Sequence, residues 1–191
     1  MRLVILDRDG VINQDSSEYI RTPEQWVPIP GSLEAIARLC RAEYRVVIIT
    51  NQAGVGRGLY SLDTMNKINM RMFELMRQKG GEVDALLFCP HAPDVGCDCR
   101  KPKPGMFLDL ARRLKVHLTG IPAVGDSIRD LDAAIAAGAR PVLVRTGNGT
   151  ETLQAIQQGG DPRYKEVPVY DDLAAFVEHH MLDGESRAVI R

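Results

Sequence analysis

The sequence predicts an α/β fold, a Rossmann-like parallel β-sheet with helices on both faces. Short apolar segments alternate along the chain with longer segments in which apolar residues recur every three or four positions. In addition, Val46–Ile49 is apolar without alternation, which is typical of a strand whose two faces are both covered. Strands that alternate with helices in this way form parallel sheets.

The predicted elements follow one another without a clear linker. The strands are expected at Arg2–Leu6, Arg45–Thr50, Ala85–Cys89, Ile121–Val124 and Pro141–Arg145. Four of the predicted helices have a boundary residue: Ser32 caps the first, Pro104 starts the third, Gly138 stops the fourth, and Asp171 or Asp172 caps the last. The second is indicated by apolar residues at helical spacing, Leu62, Met65, Ile68, Met72 and Met76. Gln157–Pro162 is expected to be a surface loop.

Length and charge restrict the kind of protein. A chain of 191 residues suits one domain, predicted over residues 1–182 and followed by a tail at 183–191. The 24 basic and 25 acidic residues nearly balance, which argues against nucleic-acid and membrane partners. No apolar run approaches the ~20 residues of a membrane span, and no signal peptide is recognisable. We therefore expect a cytoplasmic monomer with a small-molecule substrate.

Polar side chains follow four of the predicted strands. Asp7 and Asp9 follow the first, Thr50 ends the second, Lys101 lies beyond the third, and Asp126 follows the fourth. In a parallel sheet these positions share one edge, where ligands bind. Each motif alone could be a turn or a helix cap, but the four together are harder to explain in that way.

These residue types suit phosphoryl transfer. The carboxylates of Asp7, Asp9 and Asp126 offer hard oxygen ligands for Mg²⁺. Thr50 and Lys101 add a hydroxyl and a cation, which stabilise a phosphoryl group. A carboxylate held against phosphorus can act as the nucleophile, and a second one can act as general acid and base.

Four segments, "LDRDGVIN", "IITNQAGVGRG", "CDCRKPKPG" and "VGDSIRD", resemble the four motifs of the haloacid dehalogenase superfamily of phosphatases. The resemblance implies that Asp7 is the nucleophile and Asp9 the general acid and base. It also implies that Mg²⁺ binds to Asp7, Asp126 and the backbone carbonyl of Asp9, with Asp130 as a support. The intervals between motifs leave little room for a cap domain, so we expect a capless fold with an open site.

A cysteine-rich loop, residues 89–101, precedes the predicted phosphate-binding lysine. Cys89, His91, Cys97 and Cys99 offer three thiolates and one imidazole, a set that suits a closed, structural zinc site. The alternative is a group of free thiols in a turn. A bound zinc would stabilise the loop just before Arg100 and Lys101.

The superfamily contains two capless families with such a loop, the heptose bisphosphate phosphatases and the histidinol-phosphate phosphatases. The segments "NQAGVGRGLYS", "CRKPKPGMFLDLAR" and "VLVRTGNGTET" resemble the former more closely. The resemblance implies removal of the 7-phosphate of D-glycero-D-manno-heptose 1,7-bisphosphate through an aspartyl-phosphate, in ADP-heptose synthesis for the lipopolysaccharide core. It also implies substrate contacts at Asp15, Tyr19, Asn51, Gln52, Ala53 and Arg100. The alternatives are a histidinol-phosphate phosphatase and a non-catalytic, zinc-stabilised phosphate-binding module.

Overall fold

The computed structural model describes the backbone of residues 2–188 and the side chains up to His180. Its centre is one parallel sheet of six strands in the order β3-β2-β1-β4-β5-β6. The strands are β1 Arg2–Leu6, β2 Tyr44–Asn51, β3 Ala85–Cys89, β4 Pro122–Gly125, β5 Arg140–Val144 and β6 Val169–Tyr170. The predicted parallel sheet is confirmed, and β6 is an edge strand of two residues that the sequence analysis missed.

Seven α-helices connect and flank the strands. They are α1 Ser32–Arg41, α2 Ala53–Gly56, α3 Leu62–Gln78, α4 Gly105–Leu114, α5 Ile128–Ala136, α6 Gly149–Gly159 and α7 Leu173–Ala188. The short helix α2 and the helix α6 were not predicted. Gln157–Gly159, expected in a surface loop, form the last residues of α6, and the loop starts at Gly160.

The two faces of the sheet pack into separate hydrophobic cores. Val4, Leu6, Val46 and Ile48 belong to a cluster that includes apolar residues of α1, α3 and α7. Their neighbours along the same strands, such as Ile5, pack into a second cluster with residues of α4 and α5. Because alternate strand residues point to opposite faces, this division explains why both strands are apolar without interruption.

Helix boundaries differ in detail from the predictions. Ser32 is the first residue of α1 and not its cap; Gly31 precedes it with a positive φ of 82°, and the Ser32 hydroxyl donates to the carbonyl of Ile12. Asp172 is the acid that caps α7, since its carboxylate accepts a hydrogen bond from Ala175 N. Helix α7 continues to Ala188, into the segment expected to be a tail, and residues 189–191 lie outside the described residues.

The intervals between the motifs are short, as expected for a capless fold. In the described chain, a loop with one turn of 3₁₀ helix and α1 separate β1 from β2, and α2 and α3 separate β2 from β3. Neither interval holds a further domain. Across residues 2–188, no helix combines the length and the apolar character that crossing a membrane requires.

Candidate active site

The order in which strands are added to the parallel sheet reverses between its two central strands: β2 and β3 follow on one side of β1, and β5 and β6 follow on the far side of β4. Helices therefore leave these strands toward opposite faces, and a crevice opens at their carboxyl ends. A cavity of about 260 Å³ lies there. It is lined by Asp126, predicted to bind Mg²⁺, and by the ten residues predicted to act on the substrate or its phosphoryl group: Asp7, Asp9, Asp15, Tyr19, Thr50, Asn51, Gln52, Ala53, Arg100 and Lys101.

Asp7 directly follows β1, and its backbone N–H donates to the carbonyl of Val124 on β4. Its Oδ1 atom accepts a hydrogen bond of 2.7 Å from Arg8 N and lies 3.0 Å from Lys101 Nζ. The other oxygen, Oδ2, accepts no hydrogen bond from the described residues. The carboxylate is thus oriented through one oxygen while the second remains available for chemistry.

Three carboxylates form a compact set. One oxygen each of Asp7, Asp126 and Asp130 lies within 4.8 Å of the others. Burial, with repulsion from Asp130, raises the pKa of Asp126 to about 7. Burial, together with repulsion from Asp130 and Asp126, raises the pKa of Asp7 more than Lys101 lowers it. A divalent cation would relieve this repulsion, so the oxygen ligands fit a bound Mg²⁺.

The side chain of Asp9 lies outside that set of carboxylates. It is held by Arg8 at 3.0 Å, by Asn13 Nδ2 at 2.9 Å and by Gln52 Nε2 at 2.8 Å. Burial alone would raise the pKa of Asp9, but Arg8 and these hydrogen bonds lower it. The Asp9 carboxylate is therefore engaged elsewhere, and its predicted contact with Mg²⁺ through the backbone carbonyl stays a prediction.

Arg8, between the two aspartates, was not predicted to have a role. Its side chain is only 2% exposed, and besides Asp9 it donates to Gln52 Oε1 and Asn69 Oδ1. Gln52 also donates to Thr50 Oγ1 and accepts from the Tyr60 hydroxyl. The amide of Gln52 is therefore committed to orienting Asp9 and Thr50. A charged residue between two acids was the sequence feature that could have indicated this network.

Lys101 is held beside Asp7 by contacts with strand β2 and helix α5. Asn51, at the end of β2, donates to the carbonyl of Lys101 and accepts from its N–H. The ammonium group donates to the carbonyl of Ile49 and pairs with Asp130 at 2.5 Å. Burial would lower the pKa of Lys101, but Asp130 and Asp7 raise it, so the side chain remains a cation.

The loop after β5 contributes residues that the prediction missed. Asn148 donates from its backbone N–H, at 2.8 Å, and from Nδ2 to Asp126 Oδ2, and Nδ2 also contacts Asp15. Gly10 has a φ of 79°, and a Cβ atom there would overlap the Asp126 carboxylate. Glycine is therefore required where the loops after β1 and β5 meet. Asn148 lies four residues beyond the carboxyl end of β5, and inspecting that end as was done for the other strands could have found it.

The cysteine loop brings its four predicted ligands together. Cys89 Sγ lies 3.6 Å from both His91 Nδ1 and Cys97 Sγ, and Cys99 Sγ lies 3.2–3.5 Å from all three ligand atoms. The thiols are unpaired, and four ligands at about 2.3 Å around a tetrahedral zinc would lie roughly 3.7 Å apart. The spacing fits a structural zinc site. The alternative of unorganised thiols in a turn does not explain it.

Family models agree with this architecture. The model of the polynucleotide kinase 3 phosphatases matches residues 2–128, and the HAD-hydrolase-like model matches residues 98–176. The strand order and the acidic edge of the sheet are those of a hydrolase of the haloacid dehalogenase class.

Curated relatives and solved structures define the family more narrowly. The D-glycero-beta-D-manno-heptose-1,7-bisphosphate 7-phosphatases of Bordetella bronchiseptica and Pseudomonas putida are 54% and 51% identical to this chain. The alignments cover 93% and 92% of it, and 97% of each relative. The chain therefore belongs to the family of the D-glycero-beta-D-manno-heptose-1,7-bisphosphate 7-phosphatases.

Two crystal structures are similar over almost their whole length. That of the D,D-heptose 1,7-bisphosphate phosphatase from B. bronchiseptica, complexed with magnesium and phosphate, has a TM-score of 0.91 at 53% identity. It covers 96% of this chain and 99% of its own. That of the Burkholderia thailandensis enzyme has a TM-score of 0.73 at 42% identity, with coverage of 95% and 99%.

Proposed function

We propose that this protein is a cytoplasmic, Mg²⁺-dependent phosphatase that removes the 7-phosphate of D-glycero-D-manno-heptose 1,7-bisphosphate. The observation that carries the proposal is the cavity in which Asp7, Thr50, Lys101 and Asp126 converge. The identity of 54% to a phosphatase named for this substrate supports the choice of sugar. Reduced cysteines fit a cytoplasmic protein, and a monomer remains our expectation.

In the first step, Asp7 attacks the 7-phosphorus and forms an aspartyl-phosphate, while the bond to the sugar oxygen breaks. The contacts of Asp7 Oδ1 with Arg8 N and Lys101 orient the carboxylate and leave Oδ2 available as the attacking atom. Lys101, held as a cation, and the hydroxyl of Thr50 stabilise the charge on the transferring group. Asp9 gives a proton to the departing sugar oxygen.

In the second step, Asp9 removes a proton from water, which attacks the aspartyl-phosphate and regenerates Asp7. The hydrogen bonds from Arg8, Asn13 and Gln52 favour the ionised form of Asp9, which is the form that acts as base. They also hold its carboxylate in place beside Thr50 through the shared contact with Gln52. The first step needs the protonated form of Asp9, which the ion pair with Arg8 disfavours.

Two metals would support these steps. Mg²⁺, held by Asp7, Asp126 and the backbone carbonyl of Asp9, would neutralise the carboxylates and polarise the phosphoryl oxygens. Asp130 would support this arrangement indirectly. It pairs with Lys101, and it accepts a hydrogen bond from the N–H of Ser127, the residue after Asp126. Zinc, bound by the four ligands of the cysteine loop, would stabilise the chain leading to Arg100 and Lys101.

A phosphate-release assay tests the proposal. Purified protein is assayed with the heptose 1,7-bisphosphate, with histidinol phosphate and with phenyl phosphate, each with Mg²⁺ and with a chelator. We expect the highest kcat/KM for the bisphosphate and loss of activity with the chelator. Preference for histidinol phosphate would instead indicate the histidinol-phosphate family. No Mg²⁺-dependent release from any substrate would indicate a binding module.

A further inference from the structure

Arg129 differs from the other basic residues of the cavity in having no partner. Arg8 and Lys101 are buried and paired with carboxylates, and Arg100 donates at 3.5 Å to the carbonyl of His91. Arg129 also lines the cavity, but it is exposed, and it forms no hydrogen bond or ion pair with the described residues. The fold therefore gains no ion pair from this cation.

The position of Arg129 in its helix makes the absence of a partner more informative. It is the second residue of α5, close to the positive end of the helix dipole. A cation is unfavourable there, and acidic residues are the ones normally favoured. Stability does not explain an arginine at this position, whereas a bound anion would.

Arg129 and Arg100 are each the chain neighbour of one partner in a buried ion pair. Arg100 directly precedes Lys101, and Arg129 directly precedes Asp130, while Lys101 Nζ and Asp130 Oδ1 are 2.5 Å apart. Both arginines therefore arise beside the point where a phosphoryl group would meet Lys101. Both residues line the cavity.

We propose that Arg129, together with Arg100, binds the second phosphate of a sugar bisphosphate and so selects bisphosphates over monophosphates. The inference rests on the proposed function, because the reacting phosphate must first be held at Asp7 and Lys101. Two guanidinium groups without an intervening anion repel each other. A phosphate between them accepts charge-assisted hydrogen bonds from both, with the fork geometry that arginine provides.

The test measures a selectivity ratio, kcat/KM for the heptose 1,7-bisphosphate divided by kcat/KM for phenyl phosphate. We expect Arg129→Ala to lower this ratio by about tenfold or more, chiefly through a higher KM for the bisphosphate. Arg129→Lys keeps the charge but not the fork, and we expect a smaller loss. Arg41→Ala removes an exposed cation at the end of α1, outside the cavity, and serves as the charge-matched control.

The outcomes separate the inference from the proposed function. If the unaltered protein hydrolyses the bisphosphate but Arg129→Ala keeps its selectivity ratio within twofold, the inference is wrong and the proposed function stands. If Arg41→Ala lowers the ratio as much as Arg129→Ala does, the effect is one of net charge and the inference is equally wrong. An unaltered protein that releases no phosphate from the bisphosphate overturns both. Circular dichroism of each variant checks that it is folded.

Discussion

Lys101 Nζ lies 2.5 Å from Asp130 Oδ1, in a pair whose side chains are only 3% and 8% exposed. The same ammonium group reaches Asp7 at 3.0 Å. The pair joins the loop after β3 to helix α5 and holds the cation beside the proposed nucleophile. Asp130 thus acts on the site through Lys101, and its loss has consequences for both stability and activity.

We expect Asp130→Ala to lower the free energy of unfolding by about 3–5 kcal/mol, because it leaves a buried cation without its nearest partner. Urea denaturation followed by circular dichroism measures this change. Glu34→Ala is the matched control, since Glu34 and Lys79 pair at 2.7 Å with both side chains about half exposed. An exposed pair contributes at most about 1 kcal/mol. Equal effects of the two substitutions would contradict a stabilising role for the buried pair.

The nucleophile can be tested by a nearly isosteric change. Asp7→Asn keeps the size of the side chain, but an amide is a poor nucleophile toward phosphorus. We expect phosphate release to fall by several orders of magnitude while the circular dichroism spectrum stays the same. A variant that retains near-normal turnover would remove Asp7 from the mechanism.

The role of Asp9 depends on the leaving group. A sugar alkoxide needs a proton as its bond to phosphorus breaks, whereas nitrophenolate needs little help. Asp9→Asn is therefore expected to slow hydrolysis of a sugar phosphate far more than formation of the aspartyl-phosphate from nitrophenyl phosphate, which a burst of nitrophenolate reports. If both substrates lose the same factor while Mg²⁺ affinity is unchanged, Asp9 is not the acid.

Binding of Mg²⁺ to the substrate-free protein is expected to strengthen with pH. Asp126 has a pKa of about 7 without metal, and Mg²⁺ requires the ionised carboxylate. Between pH 6 and pH 8 the ionised fraction, and with it the affinity, rises about tenfold. Because this pKa is raised above its unfolded value, protonation of Asp126 stabilises the metal-free fold. That contribution is fully present below the unfolded pKa of about 4 and is lost as the pH rises through 7. Calorimetric titration at both pH values measures the affinity; an unchanged value would exclude Asp126 as a ligand.

The cysteine loop is expected to hold about one zinc per chain, measurable by elemental analysis of the purified protein. Replacing Cys99 with alanine should remove the metal and lower activity indirectly, because metal binding and the folding of such loops are coupled. Cys40→Ala is the control, since Cys40 lies on α1, away from the loop, and should leave the zinc content unchanged. Protein that contains no zinc and has four titratable thiols would count against the site.

The sequence alone indicated the parallel sheet, its five longer strands and the residues at their ends. These follow from local rules, because apolar runs and helical periodicity reflect burial, and the carboxyl ends of parallel strands share an edge. Asp7, Thr50, Lys101 and Asp126 could be identified in this way, and so could the four ligands of the cysteine loop. Their spacing along the chain was enough to predict that they meet.

Tertiary structure decided what each side chain contacts. The Arg8 side chain points inward to Asp9, Gln52 and Asn69, and this orientation depends on helix α3 placing Asn69 next to it, which no pattern near residue 8 encodes. Asn148 reaches Asp126 because β5 neighbours β4, and the two-residue strand β6 forms only by pairing with β5. The Asp9 carboxylate lies outside the group formed by Asp7 and Asp126 because Arg8, Asn13 and Gln52 hold it. Local periodicity specifies which residues reach the edge of the sheet, but the partners there come from distant segments, and only the packed chain brings those segments together.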